Sequence, residues 1–189
     1  MIDTALLQDL PATLTGVSAA LCLTAAPMFR NRRMILLMQL AAGLCFSAHY
    51  VCLGISVAAA ANMLGSVQTA TALLSARSAA MTWLGYALIG LMALVGLYFW
   101  QGPISALSMA AMILIALARM QTNELHLRVL LLAGGCFWVM HDYIGEAWIA
   151  LVADIGAFTI GAAILFSLLF RVTIEWRPMT AMAAVGRGG

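Results

Sequence analysis

His141, Asp142, Glu146 and Asp154 lie within fourteen positions of one another, in a chain whose residues are only 8% charged. The stretch that holds them, GCFWVMHDYIGEAWIALVADIGAF from 135 to 158, reads as a hydrophobic hairpin. A histidine close to a carboxylate can bind or relay a proton, because imidazole changes charge near neutral pH. A charge held in hydrocarbon costs about 2.5–3.5 kcal/mol unless it pairs or meets water, so such groups are functional candidates by default. Earlier in the chain, His49 and Asn62 interrupt a similar apolar stretch.

The elements that must position these residues are membrane helices. Hydrophobic residues make up 65% of the 189 positions and the mean hydropathy is +1.03, which leaves too little polar surface to cover a soluble globule. An α-helix needs roughly 20 apolar residues to cross a bilayer. On that length the chain divides into seven spans, roughly 9–29, 34–53, 56–76, 80–100, 103–120, 127–144 and 147–171. Alternate connections carry the arginines: Arg30, Arg32 and Arg33 after the first span, Arg77 after the third, Arg119 and Arg128 around the turn after the fifth, and Arg171, Arg177 and Arg187 after the seventh. The positive-inside rule then places the N-terminus outside and the C-terminus in the cytoplasm, with Trp100 and Trp148 at the outer interface and Trp83 near the inner one. Acidic residues precede the first span where a secretory signal would be basic, so that span is expected to be retained. Cys22, Cys45, Cys52 and Cys136 have no metal or CxxC spacing and read as small buried hydrophobes.

Displaced by 92 residues, the sequence aligns with itself. AAGLCFSAHYVCLGISVAAAANMLGSVQTA meets AGGCFWVMHDYIGEAWIALVADIGAFTIGA, so that His49 falls on His141 and Asn62 on Asp154. Ala61, Gly65 and Thr69 fall on Ala153, Ala157 and Gly161, ladders of small residues that let helices approach closely in lipid. Cys-Phe and Gly54 against Gly145 require a one-residue slip. The expected architecture is an all-α membrane protein of seven transmembrane helices. Residues 1–76 and 103–171 form two parallel three-helix units (3+1+3), 77–102 a linker helix, and 172–189 a cytoplasmic tail. His49 and Asn62 stand at equal distances from their turn, as do His141 and Asp154, which predicts a hydrogen bond across each hairpin at one height. Each pair then either fixes its hairpin or serves a solute or proton. Asp142 and Glu146 lie nearer the helix end, where hydration accounts for them; Trp138, one turn from His141, is placed to shape a cavity. Gln39 and Gln68 are further polar intrusions without a partner evident in the sequence.

These residues resemble a known family. RNRRMILLMQLAAGLCFSAHYVCLG, TALLSARS and CFWVMHDYIGEAWIALVAD are similar to the YgjV family of bacterial inner-membrane proteins over most of the chain. More distantly, the 3+1+3 arrangement resembles the SWEET sugar facilitators and other PQ-loop-type (MtN3-like) carriers. That likeness implies a substrate-facing residue on the third helix of each unit, at Asn62 and Asp154. It also implies proline hinges, of which only Pro27 in TAAPMFRNRR is present; its counterpart near Ala118 and Arg119 has none.

The sequence therefore reads as an inner-membrane transporter or facilitator, with a polar solute, sugar-like or vitamin- or nucleoside-like, held between the two units. Asn62 and Asp154 contact the solute, His49 and His141 position them, Trp138 shapes the pocket, and Pro27 is the hinge. The bilayer and the solute are the expected partners, with proton coupling and self-association compatible with the pattern. The alternative is a non-transporting receptor or assembly factor in which the polar layer is structural. No enzyme is expected: GxSxG, HExxH and lysine are absent, so hydrolase, zincin and Ser-Lys schemes lack their parts, and no cofactor or metal is implied. Nine scattered arginines and a net charge of +2 offer no nucleic-acid-binding surface.

Overall fold

The structure, a computed structural model, describes the backbone of residues 4–146 and 148–185 and the side chains of residues 10–56, 58–146, 148 and 150–170. Among the described residues there is no strand. Seven helices follow in order: α1 Thr4–Ala25, α2 Arg32–Cys52, α3 Ser56–Ser75, α4 Ala79–Tyr98, α5 Pro103–Met120, α6 Glu124–Ile144 and α7 Trp148–Val185, with a 3-10 turn at Ala26–Met28 after α1. Helix α7 continues past the expected seventh span, so much of the expected tail is helical. The side chains of Asp3, Asp9, Arg171, Arg177 and Arg187 lie outside the described residues.

Six segments among the described residues are long and apolar enough to cross a membrane: Leu10–Met28, Arg32–Cys52, Ala79–Tyr98, Pro103–Met120, Glu124–Ile144 and Ala150–Phe170. The remaining helix, α3, has 20 residues, a spanning length, but it is more polar. It turns that polarity inward: Gln68 and Thr69 are fully buried and Ser66 and Thr71 nearly so. The hydroxyls of Ser66, Thr69 and Thr71 donate to the carbonyls of Asn62, Gly65 and Gln68 in their own helix at 2.7–2.8 Å. Local bonding of this kind satisfies a hydroxyl without water.

The backbone of the two halves follows the same local rules 92 residues apart. Asn31 caps α2 by accepting from the Arg33 amide at 2.9 Å, and Asn123 caps α6 by accepting from the Leu125 amide at 2.8 Å. At the far ends of these helices, Leu53 N donates to His49 O and Gly145 N to His141 O, while Gly54 N donates to Val51 O and Glu146 N to Tyr143 O. Gly54 has φ +73° and Glu146 φ +55°. The turns therefore match without the one-residue slip that the glycines suggested. In the second turn the left-handed position falls on a glutamate, which an L side chain adopts at a cost.

Packing joins the helices in a closed circuit: α1 lies on α2, α2 on α3, α3 on α5, α5 on α6, α6 on α7 and α7 on α1. Helix α4 lies against α3 and α5 and buries only Gly85, Ile89 and Met92. The apolar core sits toward the arginine-bearing end, where Ile35, Leu36, Ala72, Met92, Ala116, Met120 and Leu127 meet. Helices α5 and α6 pack closely at Gly134, where a Cβ would stand 2.6 Å from Ile115 Cγ1 and 3.2 Å from the Ala111 carbonyl. Trp83, Trp100 and Trp148 are exposed at helix ends. The cysteines are free, and Cys52 and Cys136 are exposed, which corrects the expectation that all four are buried; on the rim of a bundle in lipid an apolar thiol has no reason to turn inward.

Candidate functional site

Polar side chains gather at two levels. Near the end of the bundle away from the arginines, α6 presents His141 and Asp142, α7 presents Asp154, and α2 presents Tyr50. Asp142 is 3% exposed. Its Oδ1 lies 2.9 Å from His141 Nδ1, and its Oδ2 is buried with no hydrogen-bond partner. The carboxyl of Asp154 comes within hydrogen-bonding reach of the Asp142 side chain, and Tyr50 lies within electrostatic range of both acids. Trp138 stands edge-on to His141, ring centroids 5.3 Å apart.

This arrangement corrects the expected pairs. His49 does not meet Asn62: its Nδ1 lies 2.7 Å from the Ala12 carbonyl on α1, and its ring packs over Gly16, where a Cβ would stand 2.9 Å from that nitrogen. The Asn62 amide donates to Ala58 O in its own helix at 2.9 Å. The reason is angular. Two residues along a helix turn about 200°, so when Ser47 faces α3 and donates to Ala59 O at 2.9 Å, His49 must face the other way, toward α1. In the second half His141 bonds its chain neighbour Asp142 instead of Asp154. Asp142, expected to be hydrated, is the buried centre of the group. Glu146, beyond the end of α6, is exposed as expected.

At the other level arginines hold the bundle together through carbonyl groups. Arg32, in the first turn of α2, donates from Nε to Gln121 O at 2.6 Å and from Nη2 to Arg119 O at 2.8 Å and Ala72 O at 3.1 Å. Arg128, in the first turns of α6, donates from Nη1 to Pro27 O at 2.9 Å and from Nη2 to Phe29 O, and also pairs with Glu124 at 2.7 Å. The carbonyls that Arg32 takes on the end of α5, at 119 and 121, lie 92 residues after those that Arg128 takes after α1, at 27 and 29. Pro27 thus sits in the 3-10 turn and presents its carbonyl to this bond. Deeper in, Arg119 donates from Nε to Gln39 Oε1 at 2.9 Å and from Nη1 to Gly65 O at 3.3 Å and Gln68 Oε1 at 3.5 Å, and Gln68 Nε2 donates to Ala116 O at 3.0 Å. Carbonyl and amide oxygens at helix ends are natural partners for a guanidinium.

In the sequence Arg32, Arg119 and Arg128 read as loop charges that set orientation, and Gln39 and Gln68 have no evident partner. One signal was available. Two buried-looking amides in apolar helices require a donor or acceptor, and an arginine at a helix end has the reach to supply it. Two surface grooves also lie at this end, one of about 430 Å³ lined by Arg32, Arg33, Leu37, Leu73, Leu74 and Arg77, the other of about 370 Å³ lined by Gln121, Leu125, His126, Val129 and Leu130. Among the described residues no group of three or more His, Cys, Asp or Glu is arranged to hold a metal ion.

No curated protein and no solved structure matches the chain. A family model described as Imp-YgjV, bacterial inner membrane protein, matches residues 10–171. With its multi-pass helices and its intramembrane polar groups, the chain belongs to the YgjV family of bacterial inner membrane proteins.

Proposed function

We propose that the protein transports a small polar solute across the inner membrane, between two parallel three-helix units, α1–α3 and α5–α7, joined by α4. The observation that carries this reading is one-sided fastening. Among the described residues, every side-chain hydrogen bond between the two units involves Arg32, Gln39, Gln68, Arg119 or Arg128, toward the arginine end. At the other end Tyr50 of one unit and Asp142 and Asp154 of the other approach without such a bond. A bundle closed at one end and unfastened around polar groups at the other has the form of one state of an alternating-access carrier. The recurrence of caps, turns and clasped carbonyls at a displacement of 92, together with the closed circuit of contacts, supports units related by a rotation axis along the membrane normal. The arginine end is then cytoplasmic.

In this reading Asp154 and Trp138 face the solute with Asp142 and Tyr50, while His49 and Asn62, occupied with backbone carbonyls, support the frame. That occupation also favours a second reading, a receptor or assembly factor that does not transport. The test is uptake by proteoliposomes against sugars, nucleosides, vitamins and small amines. Saturable uptake of any member supports transport; none across the panel, from protein that keeps its helical content, leaves the second reading.

A further inference from the structure

We propose that the facing side chains of Asp142 and Asp154 form a proton-binding site through which solute movement is coupled to the proton gradient. The geometry carries it. Asp142 is 3% exposed, and one of its oxygens already lies against His141 Nδ1 at 2.9 Å. The other, Oδ2, is buried and meets no N–H or O–H of the described protein. What does reach the same side chain is another carboxyl, that of Asp154 on the neighbouring helix. Two carboxylates brought together in an apolar setting repel; the arrangement is coherent when one proton lies between them and gives Oδ2 the donor it lacks.

The groups that surround the pair are suited to exchange. From α2 comes Tyr50, within electrostatic range of both acids, and from α6 His141, bonded to Asp142. Tyr50 belongs to the opposite unit. A relative movement of the units therefore changes the surroundings of the shared proton, which is what coupling requires. His141, 27% exposed at its side chain against 5% for Asp142, stands between the buried acid and the outside and can pass a proton to it. Asn62, 92 residues before Asp154, is an amide and cannot hold a proton in this way, so the site belongs to one unit only.

The coupling part of this inference rests on the transport reading; the proton site does not. The first measurement is therefore infrared spectroscopy of the folded protein, with aspartate carboxyl groups isotopically labelled, over a range of pH. A carboxylic-acid carbonyl band from a buried aspartate, shifted by deuterium and lost in both Asp142→Asn and Asp154→Asn but kept in Glu146→Gln, is expected. Absence of any such band from the wild type, or its persistence in either folded aspartate variant, overturns the site. If an aspartate variant does not fold, the labelled wild-type band alone decides. The second measurement is flux in proteoliposomes of the solute identified by the panel. An imposed proton gradient should change the rate at least severalfold in the wild type and leave Asp154→Asn unaffected. A band with gradient-independent flux overturns the coupling, whereas a band with no flux of any solute counts against transport and leaves the proton site standing.

Discussion

Replacing Arg32 by Met should weaken the bundle far more than the same change at its neighbour Arg33. Arg32 makes three hydrogen bonds, to Gln121 O, Arg119 O and Ala72 O at 2.6, 2.8 and 3.1 Å, and so ties α2 to the ends of α5 and α3. Arg33 is exposed. Bonds from a charged donor contribute about 1.5–3 kcal/mol each, which sets a ceiling of about 5–9 kcal/mol. Water at the helix ends can take over some of these carbonyls, and cross-helix hydrogen bonds in membrane proteins average only about 0.6 kcal/mol. A loss of about 2–4 kcal/mol is therefore expected for Arg32→Met, and of no more than about 0.5 kcal/mol for the exposed Arg33→Met. Arg32→Lys should fall between, since an ammonium keeps the charge but lacks the fork that reaches separate carbonyls. Reversible unfolding in mixed micelles, followed by circular dichroism, measures all three. Equal losses at positions 32 and 33 would show that the clasp is replaced by water at no cost, and the one-sided fastening would lose its energetic basis.

Further tests address other contacts. Gly134→Ala should cost about 1–3 kcal/mol in the same assay, because the new methyl would meet Ile115 and the Ala111 carbonyl where α5 and α6 touch; a neutral result would mean that these helices separate freely. Glu146→Gly should stabilise by up to about 1 kcal/mol by relieving the left-handed backbone at φ +55°; destabilisation would assign the glutamate side chain a role that its exposure hides. Gly16→Ala should displace the His49 ring and break its bond to Ala12 O, seen as a changed histidine NMR resonance. A reporter fused after Gly189 should read cytoplasmic and one at Met1 external; the reverse would put the arginine end outside.

How much of this was legible in the sequence depends on which coordinate of a helix is asked for. The existence and limits of the helices follow from apolar length and from Asn31, Asn123, Gly54 and Pro103 at their ends, so the seven expected segments lie within a few residues of the observed helices, save for the extension of α7; among the described residues, six of them are long and apolar enough to cross a membrane. Height along a helix is also legible, since each residue adds a fixed rise, and Tyr50, His141, Asp142 and Asp154 do come together near one end of the bundle. Azimuth is not. Which face a residue turns to which neighbour depends on how helices surround one another, so the expected bonds of His49 to Asn62 and of His141 to Asp154 gave way to Ala12 and Asp142. The arginines are illegible for a related reason: charge alternation bears on orientation as a pattern, yet says nothing of a side chain that leaves the loop and enters the bundle, as that of Arg119 does.

The polarity of α3 has a consequence for how the chain enters the membrane. A segment holding Asn62, Ser66, Gln68, Thr69 and Thr71 partitions from the insertion machinery into lipid less readily than its neighbours. Gln68 finds its acceptor only on α5, at Ala116 O, and α5 is made later. If α3 crosses the membrane as in the seven-span reading, its buried amide gains this partner only after α5 has been made. A ribosome stalled between 76 and 103 would leave this helix without its partner and open to quality-control proteases, and gene fragments ending there should accumulate poorly even though every hydrogen bond inside α3 can already form.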